Sequence, residues 1–92
     1  MIDRRVVVTN RLGLHARAAA SLVRTATKFQ CSLRLERTDG TATADAKSIL
    51  SVLMLAASRG TELRVTADGE DEIKAIEALC ELFAGGFGEN EG

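Results

Sequence analysis

Between residues 30 and 37 apolar and polar side chains alternate one for one, with Cys31, Leu33 and Leu35 on one side and Ser32, Arg34 and Glu36 on the other. A period of two with one apolar face predicts a half-buried strand. The same alternation runs through residues 2–9, where Ile2, Val6 and Val8 share a face that Arg4 interrupts, and through residues 61–67, where Leu63, Val65 and Ala67 point inward. Asp39-Gly40 reads as a two-residue type I′ turn, which needs positive φ at both positions, and returns the chain into a short strand at 41–44. Elsewhere the spacing lengthens to that of a helix. Ala19, Leu22, Val23 and Ala26 form an apolar stripe over residues 16–28, and Ile73, Ile76, Leu79, Cys80 and Phe83 form one that begins after Glu70-Asp71-Glu72, where negative charge suits the positive end of a helix dipole. A third, brief helix starts at Ser48, a good N-cap, and ends near Gly60.

The predicted order is β-α-β-β-α-β-α. Four strands with one buried face each make a mostly antiparallel sheet, covered on that face by three helices: an α+β, two-layer open-faced sandwich. The 92 residues suffice for one core and one domain, 1–92, with the glycine-rich residues 85–92 expected as a flexible tail.

Composition narrows the function. A net charge of -1 supplies no general attraction to nucleic acid, and three phenylalanines, Phe29, Phe83 and Phe87, are too few to stack bases. No segment reads as a secretory signal or membrane span, so a cytoplasmic protein without membrane insertion is expected. Cys31 and Cys80 lie on apolar faces and read as buried reduced thiols, not as a disulfide or metal site.

The single histidine stands in GLHARAAA, at the start of the first helix. The first amides of that helix, at Ala16 and Arg17, have no acceptor within it and suit an anion. Arg17 adds a planar fork of donors matched to phosphate oxygens. The helix dipole favours a neutral ring, and small alanines around it leave room for a partner to approach. A neutral imidazole can attack phosphorus and later release it. With no nucleotide loop, second histidine or metal-ligand cluster in the sequence, the phosphoryl donor must be another protein, and no cofactor or metal is expected.

NRLGLHARAAASLV, AKSILSVLMLA and DGEDEIKA together resemble the HPr family of histidine-containing phosphocarriers, over residues 2–88. The resemblance implies a relay of the phosphoenolpyruvate-dependent phosphotransferase system: enzyme I passes a phosphoryl group to Nδ1 of His15, and His15 passes it to an EIIA domain, in sugar uptake or in a regulatory relay. Arg17 then steadies the phosphate. Many members of the family have proline where this chain has Ala18. The ending ALCELFAGGFGEN resembles that of the nitrogen-related branch.

By the same resemblance Ser48 is a regulatory phosphorylation site for an HPr kinase/phosphorylase; on its own residues it is complete as a helix cap. In SILSVLML, Val52 and Leu55 are expected to fill the core and to leave Ile49, Leu50, Leu53 and Met54 partly outside. That apolar patch, flanked by Ala16, Ala20, Arg24 and Lys28, is the expected docking surface of a monomer. A ferredoxin-like ligand-binding regulatory module of the ACT type shares the first six elements and is the competing reading.

Overall fold

The computed structural model describes residues 1–89. Its elements are β1 (Ile2–Val7), α1 (Ala16–Ala26), β2 (Ser32–Arg37), β3 (Thr43–Asp45), α2 (Ile49–Met54), β4 (Glu62–Asp68) and α3 (Glu72–Ala84), followed by a short 3-10 turn at Gly86–Gly88. The strands form one sheet in the order β1-β4-β2-β3, and every ladder is antiparallel. In a ferredoxin-like domain, with its split βαβ units, β3 lies between β1 and β2 and β1 is a central strand; here β4 lies between them and β1 is at the edge, so this strand order sets that alternative aside.

Register explains the core. Leu35 stands opposite both Ala44 and Val65, and Leu33 opposite Ala67, so the predicted inward residues of β2 and β4 meet on one face, with Ala44 of β3 beside them. The helices close over it with Ala19, Leu22, Val52, Leu55, Ile76, Leu79 and Phe83, all buried. Each large side chain so buried contributes about 1.5–3 kcal/mol. Arg4 pairs with Val65 on this same face, yet β1 is an edge strand, so the arginine stays exposed at the border.

Several expectations are corrected. Asp39 lacks positive φ, and Gly40 alone is left-handed at 78°. Arg37 O accepts from Gly40 N at 2.9 Å while Arg37 N donates to Ala42 O, which makes a wider loop than a type I′ hairpin. The Asp39 carboxylate holds that loop by accepting from the Thr41 amide and hydroxyl and from the Arg37 guanidinium. Helix α1 ends at Ala26, not Lys28: Thr27 Oγ1 bonds to Arg24 O and Lys28 N to Thr25 O, tightening the last turn. Helix α2 ends at Met54, far short of Gly60, because Ala56 takes a φ of 51°. Arg37 Nη1 binds the carbonyls of Leu55 and Ala56 that this ending releases.

Ile73, expected inside, is 61% exposed, and Ala75 is buried in α3 instead. The stripe of α3 starts one turn later because Asp71 leaves its own helix uncapped and accepts from Gln30 N and Cys31 N. Ala18 and Ala19, expected to ease a partner's approach, lie in the core. The tail does not trail away at Gly85. Gly86, Phe87 and Gly88 all adopt left-handed φ near 60–75°, and Phe87 sets its ring edge-on to Phe83 at 5.0 Å, which turns Glu89 back toward α1. The rest of the expected tail, residues 90–92, lies outside the described residues.

Candidate functional site

The loop between β1 and α1 is built to present one side chain. Asn10 closes it twice, its carbonyl accepting from Gly13 N and its Nδ2 donating to Gly13 O at 2.6 Å. Gly13 has a φ of 68°, and a Cβ there would meet Ala57 O at 2.6 Å, so glycine is required on conformational and on steric grounds. The next amide, Leu14 N, donates to that same Ala57 O at 2.9 Å, and the Leu14 side chain is buried. His15 follows as the N-cap of α1 with extended backbone, φ -74° and ψ 179°.

Its ring is held at both nitrogens. The Arg17 amide donates to Nδ1 at 3.3 Å. An amide can only donate, so Nδ1 carries the lone pair and Nε2 the proton. Nε2 meets the Glu89 carboxylate, whose other oxygen accepts from Asn10 Nδ2 at 3.0 Å. The hydrogen bond from His15, and next that from Asn10, holds the Glu89 carboxyl below its ordinary pKa.

The His15 side chain is 27% exposed and lines an open cavity of about 720 Å³ with Arg11, Leu12, Ala16, Arg17 and Glu89. A nucleophilic nitrogen, an amide at a helix N-terminus and a guanidinium therefore share one recess with room for a phosphoryl group. The first hydrogen bond of α1 is from Ala19 N to His15 O at 2.8 Å, so the helix ladder asks nothing of the Ala18 amide. Alanine and proline are interchangeable there as far as backbone bonding goes.

Comparison with known proteins decides what the recess belongs to. Residues 2–85 match the family model described as the PTS HPr component phosphorylation site. The chain belongs to the HPr family of phosphocarrier proteins. Among its relatives, the phosphocarrier protein HPr of Xylella fastidiosa strain 9a5c is 52% identical over 90 residues, 98% of this chain and 99% of the relative. The phosphocarrier protein NPr of Proteus mirabilis is 40% identical over 95% of this chain and 96% of its own length. Among solved structures, HPr-C-His from Thermoanaerobacter tengcongensis superposes with a TM-score of 0.91 at 38% identity, covering 98% of this chain and 99% of that one. An HPr dimer from the same organism gives 0.75 at 38% identity over 97% and 100%.

An HPr protein is a phosphoryl carrier of the phosphotransferase system, not a catalyst, and enzyme I and EIIA are its partners. The other residues singled out from the sequence fall into two groups, one on α1 and one on α2. Ala16, Arg17 and Arg24 are exposed along α1, Ala20 is half-buried, and Lys28 is exposed just past the helix. Ser48 caps α2, its hydroxyl accepting from Ser51 N at 3.4 Å. Beyond it Ile49, Leu50, Leu53 and Met54 are exposed, Leu50 at 70% and Met54 at 81%, while Val52 and Leu55 are buried.

Sequence reasoning missed Asn10 and Glu89. Glu89 lies 74 residues from His15 along the chain, and no local pattern links them. A polar Asn in the NRLG loop, three residues before the glycine, is the one visible signal, since Asn side chains often close such turns. Cys31 and Cys80 stand away from the recess as free thiols, and burial pushes both upward in pKa. Among the described residues no group of His, Cys, Asp or Glu could hold a metal ion, and no helix is long and apolar enough to cross a membrane.

Proposed function

We propose that His15 is the residue that carries the phosphoryl group, through Nδ1. The observation that carries this reading is the Arg17 amide aimed at Nδ1 from the start of α1. When Nδ1 bonds to phosphorus, that amide is released to donate to a phosphoryl oxygen, with the Ala16 amide beside it and the Arg17 guanidinium closing over the opposite side. Phospho-enzyme I supplies the group and an EIIA domain removes it, in sugar uptake or a regulatory relay. The chain works as a monomer in the cytoplasm.

Partners dock on the exposed apolar side chains Ile49, Leu50 and Leu53 with Ala16, Ala20, Arg24 and Lys28 as the flank. The exposure of large apolar side chains on α2, a helix packed against α1, supports this. Ser48, at the edge of the same patch, is the substrate of an HPr kinase/phosphorylase. A phosphate there adds about two negative charges where partners must desolvate apolar surface, and so weakens docking.

Incubation with phosphoenolpyruvate and enzyme I tests the central point. An acid-labile, base-stable adduct is expected on His15, and none on His15→Ala. Acceptance by His15→Ala would show the assignment to be wrong.

A further inference from the structure

Resting on His15 as the carrier, we infer that Glu89 is a positioning residue of the relay, holding the Nε2 proton of His15 so that the ring faces its partner with Nδ1 unprotonated.

Three features of the fold converge on this. The two ring nitrogens have opposite and fixed partners: a backbone amide on Nδ1, which only donates, and a carboxylate on Nε2, which only accepts. The carboxylate is itself fixed, because its second oxygen accepts from Asn10 Nδ2. Asn10 is 2% exposed and ties the same Nδ2 to Gly13 O, so the network is rooted in the loop that delivers His15. Finally, the chain spends a run of left-handed residues, Gly86 to Gly88, and an edge-on contact of Phe87 with Phe83 to return Glu89 to the ring. Gly86 is buried in that turn.

The contact bears on each direction of transfer. In acceptance, the Nδ1 lone pair forms a bond to phosphorus while the bond from phosphorus to the donor's leaving atom breaks and its electron pair stays with the donor. The Nε2 proton remains in place, so the ring gains a positive charge, which the adjacent carboxylate offsets. In onward transfer the acceptor's nucleophile bonds to phosphorus, the N–P bond breaks and its electron pair returns to Nδ1. The ring is again neutral with the same proton on Nε2. Glu89 thus stabilises the charged phospho-ring without gaining or losing a proton itself; the hydrogen bonds from His15 and Asn10, and least of all the charge of Arg17, favour its ionised form.

The test uses the full chain with 15N-labelled histidine and the substitutions Glu89→Gln, Glu89→Ala and Glu89→Asp. Two quantities are read: the Nε2–H resonance of His15, which needs no partner protein, and the single-turnover rate of acceptance from phospho-enzyme I. Wild type is expected to show an exchange-protected Nε2 proton. Gln and Ala should lose that protection and slow acceptance roughly tenfold or more, as loss of a ring-orienting carboxylate does elsewhere, with thermal midpoints unchanged. Asp should recover part of both. Unchanged rate and resonance in Glu89→Gln, beside an active wild type, overturn the inference alone. Slower transfer with the resonance intact also overturns it, since the carboxylate then acts other than through the ring. A wild type that accepts nothing on His15 overturns instead the reading beneath it.

Discussion

Helices α1 and α2 begin alike: each is capped by a side chain that accepts a backbone amide of its own first turn, His15 from Arg17 and Ser48 from Ser51. What surrounds the two caps differs. The far nitrogen of His15 is engaged by Glu89, and a guanidinium stands in the same recess. The Ser48 hydroxyl has apolar neighbours in Ile49 and Leu50, and the ammonium of adjacent Lys47 is committed to Phe29 O at 2.7 Å. Capping satisfies the amides equally well in both places. Only at His15 does the second contact turn a cap into an atom with a defined lone pair, poised beside donors that can receive an anion. On the proposed reading Ser48 is modified only by an outside enzyme, whereas His15 is itself the nucleophile.

The comparison is broken most severely by Arg17→Ala, which leaves the His15 cap intact and removes the guanidinium. Stopped-flow transfer should slow about 100-fold in both directions. An unchanged rate would reduce Arg17 to solvated charge and make the two helix ends equivalent. At the other end, Ser48→Asp adds charge and keeps a capping oxygen. Acceptance from phospho-enzyme I should fall about tenfold through weaker docking, with thermal stability preserved; a normal rate would separate α2 from the docking surface.

Stability sharpens the contrast on a smaller scale. Ser48→Ala removes a cap and should cost about 1 kcal/mol in denaturant unfolding. His15→Ala should cost a similar amount, about 0.5–1 kcal/mol, since the ring is a cap and not a free loop side chain. A much larger loss at either position would mean that the cap supports the core. The smallest effect concerns Asp39, which props the α2 end through Arg37. Hydrogen bonds from Thr41, then Arg37, hold its carboxyl down at about 2, against an ordinary 3.8. With a folded value below the unfolded one, its contribution is present above 3.8 and lost as pH falls toward 2. Thermal midpoints of wild type and Asp39→Asn should therefore converge over that window, and parallel curves would show the carboxylate to be inconsequential.

The fold was legible because alternation and helical spacing act locally. Leu33, Leu35, Leu63 and Val65 had to share a face whatever their partners, and that face had to be covered. Ser48 was legible as a cap for the same reason, and His15 as the residue at the start of the first helix. What escaped notice depends on three-dimensional neighbours. Ile73 looks inward by spacing, but the diversion of Asp71 to the β2 entrance leaves it outside. Asp39-Gly40 looks like a tight hairpin until Arg37 is seen spanning to the α2 carbonyls. The glycines after residue 84 read as slack, yet the left-handed angles from Gly86 to Gly88 are what returns Glu89 to His15.

The most direct trial is phosphorus and nitrogen NMR of the 15N-histidine chain after treatment with phosphoenolpyruvate and enzyme I. A single phosphoryl group bonded to Nδ1 of His15, lost on addition of an EIIA domain, is the expected result. Phosphate on Nε2, on another residue, or nowhere would contradict the account.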